Sequence, residues 1–202
     1  MKILELFAGT KSFSKVAEQL GHETFTVDID PRFECDYTVD IMDFDFKNIP
    51  FIPDVIWASP PCTCFSVASI GTHWGGGKRA YVPKTENAVM ALKIVQQTLN
   101  IINAYPDCIY FIENPRGVLR KLPVMEGLHR KTVTYCQYGD TRMKPTDIWT
   151  NSNWTPRPMC KNGDPCHVSA PRGSKTGTQG LKGSILRSIV PPELCLEILK
   201  SL

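Results

Sequence analysis

Short apolar runs alternate with helical apolar periods through the first two-thirds of the chain, and no other sequence feature narrows its fold as far. A short apolar run followed by a stripe of period 3.6 is one strand and one helix. Repeated units of that kind build an α/β domain around a mostly parallel sheet. The pattern predicts strands over Lys2 to Leu6, Glu23 to Val27, Val55 to Ala58, Cys108 to Ile112 and Lys131 to Cys136. A helix is predicted over Ser12 to Leu20, with Phe13, Val16, Ala17 and Leu20 on one face and Gly21 as its stop. A longer one is predicted from Thr85 to Ala104, with Ala88, Ala91, Leu92, Val95, Leu99 and Ile102 as its stripe and Thr85 as its cap. Pro191 and Pro192 open a last helix, Glu193 to Leu202, whose inward face is Leu194, Ile198 and Leu199.

A chain of 202 residues, 42% of them hydrophobic, suits one domain with a substantial core. The expected division is a core over 1–150, a small basic segment over 151–184 and a C-terminal helix over 185–202 that completes the core. The N-terminus carries no charged segment followed by a long apolar run, so neither a secretory signal nor a membrane span is expected. The chain reads as soluble and cytoplasmic, a monomer, with its eight cysteines reduced. A net charge of +3 is too small to identify a partner. Its distribution is more telling. Between Ser152 and Ser188, Arg157, Lys161, Arg172, Lys175, Lys182 and Arg187 face only Asp164, in a stretch rich in Gly and Pro that reads as a long loop.

The first strand runs into Phe7-Ala8-Gly9-Thr10 and then a helix, an arrangement that presents backbone N–H groups to a ligand. The second strand ends in Val27-Asp28-Ile29-Asp30, where a carboxylate is placed to accept from ribose hydroxyls, Asp28 being the better candidate. Asp40, in Val39-Asp40-Ile41, is placed to accept from an adenine amino group. Either carboxylate also reads as a solvated loop residue. The most informative stretch is Asp54 to Ser66, a strand delivered into Ser59-Pro60-Pro61-Cys62. Two prolines fix the backbone and hold the thiol at the carboxyl edge of the sheet, which points to a nucleophile at Cys62, with Cys64 as the core alternative.

The ordered set FAGTKSFS, VDID, VDI, SPPCTCFSVAS, FIENP and RSIVPP resembles the motif series of the DNA cytosine-5 methyltransferase family and spans nearly the whole chain. The resemblance implies an S-adenosylmethionine-dependent methyltransferase (Rossmann-like) fold with a small loop-rich C-terminal segment. It implies S-adenosyl-L-methionine as cofactor, held by Phe7, Ala8, Gly9, Thr10, Asp28, Ile29, Asp40, Ile41, Ser59 and Pro60. Double-stranded DNA with a flipped-out cytosine is the implied partner. Cys62 would add to carbon 6 of the base and make carbon 5 nucleophilic. Glu113 would donate to ring nitrogen 3 from a buried site, and Asn114 would hold that site in shape. Arg142 would contact the base or its phosphate. Ser66, Lys78, Arg79, Lys144, Arg172 and Lys175 would contact nucleic acid, and Gly71 to Arg79 would form a flexible basic loop closing over the bound strand.

The chain departs from that family in four places. Its first motif has a single glycine, Gly9; Pro115 follows Glu113-Asn114 where valine is usual; Lys144 stands where a second arginine is usual; and the stretch between Trp149 and Ile185, where larger members insert a recognition domain, is only a few dozen residues. Cys160, Cys166 and His167 have the residue types of a zinc site, but three ligands at that spacing do not make the usual knuckle, so no metal is expected. Two alternatives stand beside the DNA reading: the same chemistry on RNA, and a non-catalytic module of the same fold that binds cofactor or nucleic acid.

Overall fold

A computed structural model describes residues 1–77, 80–168 and 183–202. The strands are β1 (Lys2–Leu6), β2 (Glu23–Asp28), β3 (Tyr37–Thr38), β4 (Val55–Ala58), β5 (Trp74–Gly75), β6 (Val82–Pro83), β7 (Ile109–Pro115), β8 (Arg130–Thr134) and β9 (Pro145–Thr150). The helices are α1 (Ser12–Gln19), α2 (Ile70–His73), α3 (Glu86–Asn103), α4 (Ser184–Ser188) and α5 (Pro192–Lys200). Seven strands form one sheet in the order β3-β2-β1-β4-β7-β9-β8, while β5 and β6 pair apart. From β3 to β7 every pairing is parallel; β9 runs antiparallel to both β7 and β8. No helix among the described residues is long and apolar enough to cross a membrane.

Strand alternation divides the core into two layers. Leu4, Leu6, Ile56, Ala58 and Ile112 face α3 through Ala88 and Val95. Ile3, Val55, Trp57 and Phe111 face α1 and α5 through Phe13, Val16, Leu194 and Ile198, with the Phe13 and Trp57 rings stacked at 4.5 Å. Because β4 is sandwiched between β1 and β7 and covered on both faces, Val55, Ile56, Trp57 and Ala58 are all buried. That rigid strand then delivers the Pro60-Pro61 turn.

Most sequence-predicted elements stand within a residue or two. Thr85 caps α3 by accepting from the Ala88 amide at 3.2 Å. Leu20 departs from its expected place: it follows α1 as an exposed C-cap, so the inward face of that helix ends at Ala17. Strand β9 was not predicted, and it is buried along nearly its whole length, Asp147 included. Asp147 is tolerated there because Arg120 pairs with it and the Thr132 hydroxyl donates to it at 2.8 Å.

The helix α1 has no side-chain cap of its own, since its N-cap residue, Lys11, is left-handed and offers no acceptor. Glu5 of β1 takes that part across the fold. Its carboxyl accepts from the Phe13 amide at 3.3 Å and the Ser14 amide at 2.8 Å while only 2% exposed, and burial raises it to about 7.

Candidate active site

Parallel pairing of β4 with β7 puts Ala58 beside Ile112, so both chains leave the sheet at the same carboxyl edge. One exit carries Cys62 and the other Glu113 and Asn114. Asn114 is fully buried, and its Nδ2 donates to the Pro60 carbonyl at 2.9 Å. This bond ties the Pro60-Pro61-Cys62 turn to the neighbouring strand. The Asn114 Oδ1 is buried and has no hydrogen-bond partner among the described residues.

Cys62 is half-buried. Burial pushes its thiol above the usual range and the charge of Glu113 adds to that, while Lys144 and Arg187 act in the opposite sense. Glu113 itself is 5% exposed. Its Oε1 accepts from the Tyr135 hydroxyl at 2.8 Å and lies 3.8 Å from the Lys144 Nζ, which sits 4.4 Å over the Tyr135 ring. Burial and the same carboxylate hold the Tyr135 phenol far above its ordinary range, so it remains a donor. Tyr135 and Arg187 were not among the sequence-predicted residues. The signal for Arg187 lay in the RSIVPP element; a tyrosine at a strand end gives none.

Arg142 does not sit as expected. Its guanidinium pairs with Asp140 in bidentate fashion and donates to the carbonyls of Leu186 at 3.2 Å, Arg187 at 3.3 Å and Ile189 at 3.2 Å. All five N–H donors are engaged within the chain. Lys144 donates to the Arg187 carbonyl as well, at 2.9 Å. The two basic residues thus bind the segment before α5 to the β8–β9 connection, and of the two it is Lys144 that reaches Glu113.

The loop after Cys62 is held from two further sides. Gly117 approaches so closely that a Cβ there would lie 2.0 Å from the Phe65 carbonyl oxygen, and the Val118 amide donates to that oxygen at 2.8 Å. Ser66 bridges to Gly117, its hydroxyl 3.0 Å from that of Ser69. From the other side the buried Trp74 donates its indole N–H to the Cys64 carbonyl at 2.6 Å. The stretch expected to be a flexible basic loop, Gly71 to Arg79, forms the end of the helix α2 up to His73 and the hairpin strand β5 over Trp74 and Gly75. Lys78, Arg79, Arg172 and Lys175 lie outside the described residues.

At the other end of the carboxyl edge, Phe7 and Gly9 both have positive φ, 57° and 47°, in the turn before α1. Asp28 accepts from the Gly9 amide at 2.8 Å and the Asp30 amide at 2.9 Å, and Ile29 beside it is 62% exposed. Ala8 is buried, and Thr10 shares a hydrogen bond with Ser12 at 2.9 Å. Asp40 caps a short 3-10 turn by accepting from the Met42 amide at 3.0 Å, at the exposed rim, while the Ile41 side chain is buried in the core. Ser59 accepts from the Trp57 indole at 2.9 Å and Pro60 is buried. A carboxylate with lone pairs to spare beside an exposed aliphatic side chain fits a ribose diol and an adenine face.

Three of the four candidate metal ligands, Cys160, Cys166 and His167, come from the segment after β9; the fourth, Cys136, comes from the 3-10 turn that follows β8. The sequence reading counted only three.

No family model matches the chain. A protein of frog virus 3 (isolate Goorha), named as a probable DNA (cytosine-5)-methyltransferase, is 31% identical over 218 residues, covering 98% of this chain and 99% of its own. Among solved structures, one described as a candidate DNA modification methyltransferase encoded within an Escherichia coli prophage aligns with a TM-score of 0.51 at 13% identity. It covers 74% of this chain, which spans 46% of that longer one. The Dnmt2 methyltransferase of Schizosaccharomyces pombe aligns with a TM-score of 0.49 at 16% identity, over 74% of this chain and 50% of its own. The likeness to the prophage protein is one of fold; the 31% identity to the viral protein over 98% of this chain goes further, and by it the chain belongs to the DNA (cytosine-5)-methyltransferase family.

Proposed function

We propose that the chain methylates carbon 5 of cytosine in DNA, with Cys62 as the nucleophile and S-adenosyl-L-methionine as the methyl donor. The observation that carries this reading is the convergence of Cys62, Glu113 and Asn114 at adjacent strand ends, in a chain whose viral relative is 31% identical. When bound, the cofactor supplies a methyl group on a positively charged sulfur. Gly9, Asp28 and Ile29 hold it at one end of the sheet edge, with Asp40 at the rim and Ser59 and Pro60 toward the base.

The Cys62 thiol gives up its proton to Glu113 as its sulfur forms a bond to carbon 6 of a cytosine flipped out of the duplex, and the ring electrons that the attack displaces give carbon 5 its nucleophilic character. A proton passes from Glu113 to ring nitrogen 3 as charge gathers there. The Tyr135 hydroxyl orients that carboxyl, and Lys144 adds positive charge to the centre. Carbon 5 then forms its bond to the methyl carbon as the methyl–sulfur bond breaks and its electron pair goes to that sulfur. Loss of the proton on carbon 5 to a water or another base, with cleavage of the Cys62 sulfur–carbon bond and return of the ring-nitrogen proton through Glu113 to the Cys62 sulfur, restores the aromatic ring and the thiol.

Burial and Glu113 disfavour the Cys62 thiolate in the free protein, so the thiol gives up its proton only as it attacks the base. The basic segment 151–184 supplies phosphate contacts, Arg172 and Lys175 among them. A monomer suffices for this scheme, since every catalytic group comes from one chain.

DNA carrying 5-fluorocytosine tests it directly. With S-adenosyl-L-methionine present the protein should form a covalent adduct that Cys62→Ala abolishes. An adduct with RNA but not DNA would move the substrate to RNA, and no adduct with either across varied sequences would sink the catalytic reading.

A further inference from the structure

Cys136, Cys160, Cys166 and His167 converge on one point beside the active-site strands, their ligand atoms all within 4.8 Å of one another. The Cys136 and Cys160 sulfurs are 3.0 Å apart and those of Cys166 and Cys136 3.6 Å apart. The Nδ1 of His167 lies 3.8 Å from the Cys160 sulfur and 3.7 Å from that of Cys166. A zinc ion bound tetrahedrally by thiolates at about 2.3 Å and imidazole at about 2.0 Å needs ligand atoms roughly 3.5 to 3.8 Å apart. Three of these four distances already match that spacing, and the Cys136–Cys160 pair at 3.0 Å has to open to admit the ion.

We propose that these four residues bind one zinc ion in a closed, four-coordinate structural site. Three sulfur ligands and one nitrogen are the soft donor set zinc prefers, and a site with all four positions filled by protein has no opening for substrate. The surroundings are built for it. Cys136 and Cys160 are buried; the Cys160 amide donates to the Thr134 hydroxyl at 3.0 Å, and the Gln137 side-chain amide donates to the Cys166 sulfur at 3.5 Å, the kind of outer contact that orients a thiolate ligand. On binding, each of the three thiols gives up its proton to solvent and keeps the electron pair that it donates to the ion.

The connectivity gives the site its consequence. Cys136 follows Tyr135, whose hydroxyl donates to Glu113, whereas the other three ligands belong to the segment after β9. That segment carries the basic residues placed for phosphate contact and has few apolar side chains to anchor it. A metal bond to Cys136 fixes it to the catalytic core at the residue next to the active-site tyrosine. Metal binding here does not depend on the methylation reading.

The full-length protein, purified without chelator from cells grown in zinc-supplemented medium, should hold about one zinc per chain by elemental analysis. After chelation, cobalt(II) alone should restore the site and give the visible absorption of a tetrahedral thiolate complex. Cys166→Ser and His167→Asn should each weaken zinc retention roughly tenfold or more, while Cys35→Ser, outside the cluster, should keep it. Less than about a tenth of an equivalent of zinc together with no tetrahedral cobalt spectrum overturns the proposal, and these readings on the unmodified chain hold even where a variant fails to fold. Iron with acid-labile sulfide in place of zinc overturns it too, as does a Cys136–Cys160 disulfide found by mass spectrometry of unreduced protein.

Discussion

The Asn114 side chain donates to the Pro60 carbonyl at 2.9 Å, joining two residues 54 positions apart and making the end of one strand the support for the turn on the next. Asn114→Ala removes that donor inside a buried site. It should cost about 1–3 kcal/mol of stability, read from urea unfolding, because the Pro60 carbonyl is left without its partner. Adduct formation with 5-fluorocytosine DNA should slow roughly tenfold or more, with cofactor affinity retained. Unchanged adduct kinetics would mean that the turn holds its own shape.

The charges around Cys62 set the pH at which it reacts. Its thiol lies above the ordinary range through burial and Glu113, opposed by Lys144 and Arg187. Removing the negative charge with Glu113→Gln should therefore move the alkylation midpoint of Cys62 to lower pH, and removing the positive one with Lys144→Met should move it higher. Peptide-resolved mass spectrometry after timed alkylation across pH reads both shifts. Movement of both variants in one direction would show that the charges act by distorting the site.

Gly117 stands where a methyl group would meet the Phe65 carbonyl oxygen at 2.0 Å. Gly117→Ala must push the Cys62 loop away or open the Val118-to-Phe65 hydrogen bond. A displacement of about 1 Å at the nucleophile is expected to slow methyl transfer on the order of a hundredfold. Single-turnover methylation is the measurement, and wild-type rates in a folded variant would contradict the close approach.

Glu5 carries a folded-state value raised from 4.5 to about 7 by burial. Between those values the unfolded chain has lost the proton and the folded chain retains it, so stability falls as pH rises across that window and stays low above it. The loss attributable to this group is on the order of 3 kcal/mol. Glu5→Gln keeps an acceptor for the α1 amides but cannot ionise. The difference in urea midpoint between wild type and variant should swing in favour of the variant from pH 5 to pH 8, and a flat difference would rule out a buried titration at Glu5.

Much of the molecule was legible in its sequence because the relevant physics is local. A strand buried on both faces must be apolar throughout, as Val55 to Ala58 is, and a helix lying on the sheet must repeat its apolar face, as Ala88 to Ile102 does. The Pro-Pro turn fixes its own backbone, so Cys62 could be placed at a strand end without knowing its neighbours. Strand β9 escaped notice because Pro145 and Asp147 argue against a strand locally, and only Arg120 and Thr132, remote in sequence, make the buried aspartate tolerable.

By itself, then, the sequence determined the alternation of strands and helices, the order of the motifs and the place of Cys62, Glu113 and Asn114 at strand ends. Tertiary structure decided what each side chain is free to do. Arg142 carries a charge suited to phosphate, but Asp140 and three carbonyls returning from 186–189 occupy all its donors. Cys136 looks like an ordinary small residue after a strand until folding brings it against Cys160, Cys166 and His167. The physical reason is common to both cases: periodicity and turn preference act over a few residues, whereas hydrogen-bond saturation and metal coordination depend on which distant atoms the sheet order brings within about 4 Å.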